Sequence, residues 1–237
     1  MTSRKMKQRL REFASAKKAR LLQGFFKTGP GQYGEGDIFL GVMVPDIRKV
    51  VKEFQNAPLS EVRDLLASPY HEDRVLAALL LVHQFSRGDE AARTRICALY
   101  LKSVKHINNW DLIDLSAPHI VGKHLENRDR RTLYDLARSR DLWKRRIAII
   151  STFAFIRQDD FDDALAISAM LLSDEHDLIH KAVGWMLREV GKRSLAVEER
   201  FLKKHYKQMP RTMLRYAIER FPEAKRLSYL NGKIRTT

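Results

Sequence analysis

The run Asn108-Asn109-Trp110-Asp111-Leu112-Ile113-Asp114 is the most unusual segment of the chain. Trp110 and Asp114 stand four residues apart, so on a helix they share a face, while Leu112, Ile113 and Leu115 point elsewhere. An aromatic plane thus stands beside a carboxylate, a combination suited to positive charge. The alternative is that Asp114 is ion-paired with one of the chain's many cations. Asp111 has a plainer reading: Asn108 can cap the helix, and Asp111 at its third position then suits the helix dipole.

Trp185 lies in Lys181-Ala-Val-Gly184-Trp185-Met-Leu-Arg-Glu, on one helix face with Lys181 and next to Gly184, which leaves room for something to approach. Trp143 sits at the turn into another helix, in Asp141-Leu-Trp143-Lys-Arg145-Arg146. Tryptophan is most often a core residue, and Trp143 fits that reading better than the other two. His176 and His180 have the helix-face spacing of a ligand pair, but no nearby glutamate completes an HExxH arrangement, so no metal is expected. The Gly-rich run from Thr28 to Asp37, TGPGQYGEGD, lacks the Gly-Lys-Ser/Thr ending of a phosphate-cradling loop and reads as a flexible loop. No cofactor is implied.

The elements carrying these residues are helical. Val75, Leu76, Leu79, Leu80, Val82 and Phe85 form a broad apolar face, strand-like alternation is scarce, and Pro58, Pro69, Pro118 and Pro222 fall between helical segments. Four segments open with a cation and continue into small or branched apolar residues, beginning at Arg74, Arg146, Lys181 and Arg211, and a further helix from Trp110 falls in the first interval. The period is near 35 residues, within the range of about 34 to 47 of short helical repeats that must stack to bury their apolar faces. The expected fold is all-α, a superhelical solenoid of HEAT-like two-helix repeats with a concave basic groove along which the recurring cations line up. The chain 1–237 reads as a single such domain, with basic N-terminal helices and the Gly-rich loop in 1–37.

Lys and Arg number 44 against 29 Asp and Glu, a formal net charge of +15 spread over the whole length, which points to a polyanionic partner. The single cysteine, Cys97, excludes an internal disulfide and fits a reducing compartment. The longest apolar runs, Val75 to Val82 and Ile147 to Ile156, fall far short of the ~20 residues that span a bilayer, and no apolar segment follows the basic N-terminus as in a secretory signal. A cytoplasmic, nucleoid-associated monomer is expected.

Trp110-Asp111-x-x-Asp114, Trp143-x-x-Arg146, Lys181-Ala-x-Gly-Trp185-x-Leu-Arg-Glu and Phe39-Leu-Gly-x-x-x-Pro45-x-x-Arg48 together resemble the AlkD-type DNA alkylation repair glycosylases in order and spacing, from about Phe25 to Arg188. The resemblance implies that Asp114 is the catalytic carboxylate, that Trp110 and Trp185 wall the target nucleotide, and that Arg146 binds a backbone phosphate, with Arg145, Lys181 and Arg48 as further DNA-binding candidates. Where the family can place a tyrosine near the end of the N-terminal helix, this chain has Phe25 and Phe26, which keep a stacking surface without the hydroxyl. The partner implied is duplex DNA carrying alkylated purines.

The implied reaction is hydrolysis of an N-glycosidic bond through an oxocarbenium-like transition state, where a carboxylate stabilises the positive charge growing on the sugar. A purine alkylated at N3 or N7 is already cationic and leaves as a neutral base, so one carboxylate suffices. The rival reading is a non-catalytic helical-repeat module that binds nucleic acid or an acidic protein, for which Asp114 has no use.

Overall fold

Apolar residues recur at helical spacing from Met6 to Tyr229, and the backbone between them closes into helices throughout. The computed structural model describes residues 2–234, and among them the β-structure is one isolated bridge, Ile38 to Tyr70. The fold is all-α. Its backbone clusters into two compact units, Met1–Ile120 and Val121–Thr237.

Unit 1 contains α1 (Ser3–Arg11), α2 (Ala16–Phe25), α3 (Val44–Glu53), α4 (Leu59–Leu66), α5 (His71–Arg87), α6 (Glu90–Lys102) and α7 (Trp110–Asp114). Short polar side chains begin several of them: Thr2, Ser15, Asp89 and Asn109 each accept a backbone N–H of the helix that follows. The centre is α5, buried continuously from His71 to Leu81, with α3, α4 and α6 packed on it. Glu72, at its start, is buried and accepts the N–H groups of Leu40, Gly41 and Val42 at 2.8, 2.7 and 3.2 Å, which ties the incoming extended segment to the helix. Helix α2 buries no side chain completely. It is held because Gly41, at φ 79°, lets the backbone come against Ser15 and Ala19 where a Cβ has no room. Cys97 on α6 is buried, and burial pushes its thiol up to about 12.

The helix starting at Trp110 is shorter than its sequence pattern suggests. It ends after Asp114, and a wide π-type turn covers Pro118–Gly122. Pro118 has no N–H to continue an α-helical ladder, which accounts for the break.

Unit 2 contains α8 (Lys123–Leu125), α9 (Arg131–Ala137), α10 (Leu142–Ser151), α11 (Phe153–Ile156), α12 (Asp162–Met170), α13 (Asp177–Arg193), α14 (Leu195–His205), α15 (Arg211–Ala217) and α16 (Glu223–Leu230). Helix α9 packs on α10, α10 on α13, and α13 on both α14 and α15, so the cation-led helices α10, α13 and α15 form consecutive layers, as a helical repeat requires. Gly184 explains the closest of these contacts. Its missing side chain is replaced by the backbone of Met213 and Ala217 and by Tyr216, so the room beside Gly184 is filled by α15.

Glu198 on α14 is an uncompensated group in this core. It is 2% exposed, lies against Gly191, and its Oε1 has no hydrogen-bond partner among the described residues. Burial pushes its carboxyl up to about 8, against the opposing fields of Arg188 and Lys225. The folded state therefore binds a proton that the unfolded state releases near 4.5, and stability falls as pH rises from about 4.5 to about 8. Glu198→Gln is expected to flatten this decline and raise the melting temperature above pH 8, read from thermal melts across pH 4 to 9. A wild-type melting temperature that rises through that window in parallel with the variant contradicts the assignment.

Candidate active site

In unit 1 the site residues converge on α7. One turn of helix cannot set its own orientation, and here Leu112 and Ile113, both fully buried, fix its rotation and leave Trp110, Asp111 and Asp114 on its half-exposed side. Beyond its end, Ser116 donates to the Leu112 carbonyl at 2.5 Å and meets the Tyr100 hydroxyl at 2.7 Å, both buried. The cap is Asn109, accepting the Trp110 N–H at 2.8 Å, and not Asn108.

Trp110 is the outer member of an aromatic stack. Phe26 lies between it and Phe39, with centroids 5.3 and 5.2 Å away and rings tilted by 24° and 17°. The two adjacent phenylalanines have separate places: Phe26 is 7% exposed within the stack, whereas Phe25 is 64% exposed and meets Trp110 edge-on at 6.1 Å. The indole N–H of Trp110 donates to the Tyr33 hydroxyl at 3.2 Å. Tyr33 was missed by sequence reasoning, although it is the one aromatic residue in the Gly-rich run.

That run, read from the sequence as a flexible loop, is bonded to the rest of unit 1 through Tyr33, Gly34 and Asp37. Tyr33 holds Trp110, Gly34 donates to the Lys27 carbonyl at 3.2 Å, and a Cβ at Gly34 would lie 2.6 Å from the Phe26 carbonyl oxygen. At its end Asp37 is buried and accepts from Arg74 at 2.5 Å and from Asn109 at 3.3 Å, with His71 Nδ1 at 3.2 Å. The other His71 nitrogen, Nε2, lies 2.8 Å from Asp111. Asp111 therefore does more than suit a helix dipole. Burial alone would lower the His71 pKa, but the charge and hydrogen bond of Asp111 and the bond to Asp37 outweigh it and hold the imidazole up to about 9. Burial opposes ionisation of Asp37 in turn, and His71 and Arg74 prevail, keeping its carboxyl below the usual range.

In unit 2 the candidates lie on the packed pair α10 and α13. Arg145 bonds Asp174 at 2.6 Å and the carbonyls of Ser139 and Arg140 at 3.0 and 2.8 Å. Arg146 is 4% exposed and donates to the Leu178 carbonyl at 2.5 Å. With Arg74 buried on Asp37 and the Ser68 carbonyl, this corrects the expectation of surface-lining repeat cations for Arg74 and Arg146, whereas Lys181 is half-buried and Arg211 exposed. Loop carbonyls and carboxylates beside the helix starts need donors, and these arginines supply them. Lys181 is more open and pairs with Asp177 at 2.6 Å. Trp185 is half-buried, its N–H donates to Glu189 at 3.0 Å, and its ring meets Phe153 at 5.7 Å. Trp143, expected to be the most structural of the three, is also only half-buried. Arg48 is exposed on α3. His176 accepts the Leu178 N–H at 3.1 Å and His180 bonds the Asp174 carbonyl. Among the described residues no three ligating side chains are grouped to hold a metal ion, and no helix is long and apolar enough to cross a membrane.

Over residues 6–221 the chain matches the family described as DNA alkylation repair enzyme. No curated protein matches it. Among solved structures it is similar to one described as a predicted DNA alkylation repair enzyme from Enterococcus faecalis, with a TM-score of 0.69 and 17% identity over 89% of this chain and 97% of that one. At that identity the likeness is one of fold.

Because Trp110 and Trp185 are half-buried with their N–H groups paired inside the protein, truncating either to alanine should cost roughly half of the ~3 to 5 kcal/mol of a core tryptophan. Thermal melts of Trp110→Ala, Trp185→Ala and Trp143→Ala test this. A drop in either of the first two matching the full core value would assign that ring to packing alone.

Proposed function

The chain belongs to the family of DNA alkylation repair enzymes, and on that premise we propose that it is a DNA glycosylase, hydrolysing the N-glycosidic bond of cationic N3- and N7-alkylated purines in duplex DNA. The observation that carries this reading is Asp114, a half-exposed carboxylate on the same short helix as Trp110, on the side that buried Leu112 and Ile113 leave open. Water adds to C1′ of the deoxyribose as the C1′–N bond breaks. The bond's electron pair leaves with the base, cancelling its positive charge, and the water's proton passes to solvent. Asp114 stabilises the charge that grows on the sugar and orients the water. Trp110, on the same helix as Asp114, offers an aromatic face to that charge, a contact of about 0.5 to 2 kcal/mol, and we assign Trp185, on α13 of unit 2, to contact with the DNA. No base-reading pocket is needed, because only a cationic lesion has an activated leaving group.

The net charge of +15 supports duplex DNA as partner. We assign phosphate contacts first to the more open cations, Lys181 and Arg48, and to Arg146 through whatever part of its guanidinium reaches the surface. A cytoplasmic monomer acting on the nucleoid fits the reading.

Asp114→Asn is expected to lower single-turnover release of N7-methylguanine by orders of magnitude, with duplex affinity kept within severalfold or improved. Near-normal turnover in this variant would remove Asp114 from the mechanism. Absence of base release by the wild type across N3- and N7-alkylated purines would favour a non-catalytic DNA-binding module.

Lys181→Ala and Arg48→Ala should each weaken damaged and undamaged duplexes alike and reduce the slope of log affinity against log salt by about 1. Arg146→Ala should also lower the melting temperature, since it frees the Leu178 carbonyl. An unchanged salt slope for any of the three places that residue outside the interface.

A further inference from the structure

His71 has a feature that the reaction just described does not use. Both of its ring nitrogens face carboxylates, Nδ1 toward Asp37 at 3.2 Å and Nε2 toward Asp111 at 2.8 Å. A neutral imidazole carries one N–H and can donate to only one of them, leaving a lone pair against the other carboxylate. The bridge is complete only in the imidazolium form. We propose that His71 is a positioning residue whose imidazolium ties α7 to the Gly-rich loop and the start of α5, and so keeps Trp110 and Asp114 in place. The activity part of this inference rests on the glycosylase reading, while the structural part does not.

The placement of α7 shows why such a tie matters. Its C-terminal end is secured through Ser116, Tyr100 and the buried Leu112 and Ile113. Its N-terminal end, which carries Trp110, has the Asn109 cap, the Phe26 stack, the Tyr33 hydroxyl and the link from Asp111 to His71. Asn109 itself donates to Asp37, the same carboxylate that His71 meets, so losing the proton on His71 disturbs both the cap and Asp111. The charged groups facing His71 are Asp37 from the loop, Asp111 from α7 and Arg74 from α5, and its remaining neighbours are the rings of Phe26 and Phe39. Two carboxylates against one guanidinium leave a site that favours a cationic ring. Burial opposes that charge, and those carboxylates hold the imidazole up to about 9.

The sign of the pH effect follows. The folded pKa lies above the ordinary 6.5, so the stability that the tie contributes is full below 6.5 and declines as pH rises toward 9, while within the folded protein the tie itself persists until pH passes about 9. Asp114, a carboxylate, does not predict an alkaline loss of rate.

The test uses the full chain as wild type, His71→Gln and Asp111→Asn. Two signals are followed by NMR from pH 6 to 10, the His71 Cε1–H and the Trp110 indole N–H. In parallel, single-turnover release of N7-methylguanine from a duplex is measured over the same range. In the wild type the His71 signal should titrate near 9, the Trp110 signal should move with it, and release should fall on the same limb. In Asp111→Asn the His71 titration should shift to lower pH and carry the alkaline limb with it. In His71→Gln release should be about 10- to 100-fold slower, with duplex affinity within severalfold and no limb near pH 9. A His71 titration near 6.5, or a Trp110 signal indifferent to it, overturns the inference. If the wild type releases no base, the glycosylase reading fails, and the NMR titrations alone still decide whether the bridge exists. If His71→Gln does not fold, Asp111→Asn keeps the histidine and carries the test.

Discussion

A carboxylate removed from water must be met by donors or it destabilises the fold by several kcal/mol, and Asp37 is such a group at the heart of unit 1. Its donors come from two other segments. Arg74 and His71 belong to the first turns of α5, and Asn109 is the residue that caps α7. Satisfying one charge therefore brings together the end of the Gly-rich loop, the start of the central helix and the helix bearing Trp110 and Asp114. The aromatic stack of Phe39, Phe26 and Trp110 is assembled over this charged centre, with His71 belonging to both.

The all-helical class and the repeat helices were legible in the sequence because their signals are local. The cation followed by branched apolar residues marks α10, α13 and α15, and the four-residue spacing of Trp110 and Asp114 marks a shared face. What was not legible depends on partners distant along the chain. Phe25 and Phe26 are alike in type and neighbours in sequence, and only the ring of Phe39 and Trp110 around one of them separates them. The burial of Arg74 and Arg146 follows from Asp37 and the Leu178 carbonyl, which no periodicity connects to them. The space beside Gly184 was inferred correctly, but its occupant is α15, whose approach is a matter of packing between repeats. His71, Asp37 and Tyr33 left no recognisable motif, since a polar network makes no pattern at helical spacing.

Trp110 and Trp185 share a design although they lie in different units. Each is half-buried, each rests against phenylalanine, and each has its N–H bonded to a fixed acceptor, Tyr33 in one case and Glu189 in the other. An indole whose polar edge is already paired does not need to turn toward water. The paired N–H and the phenylalanine contact then favour a single orientation of each ring. Glu189 also takes Lys192 and Arg188, which keeps the acceptor under Trp185 as well restrained as the ring.

Burial of Cys97 has a consequence for a protein of this family. Alkylating agents that damage purines also attack sulfur, and they do so through the thiolate. With its thiol pushed up to about 12, Cys97 is held in the neutral form near neutral pH, and its burial on α6 limits access. The only sulfhydryl in the chain is thus a poor nucleophile toward an alkyl group. Burial thus sets this thiol apart from the thioether of Met43, which is exposed and needs no ionisation to react.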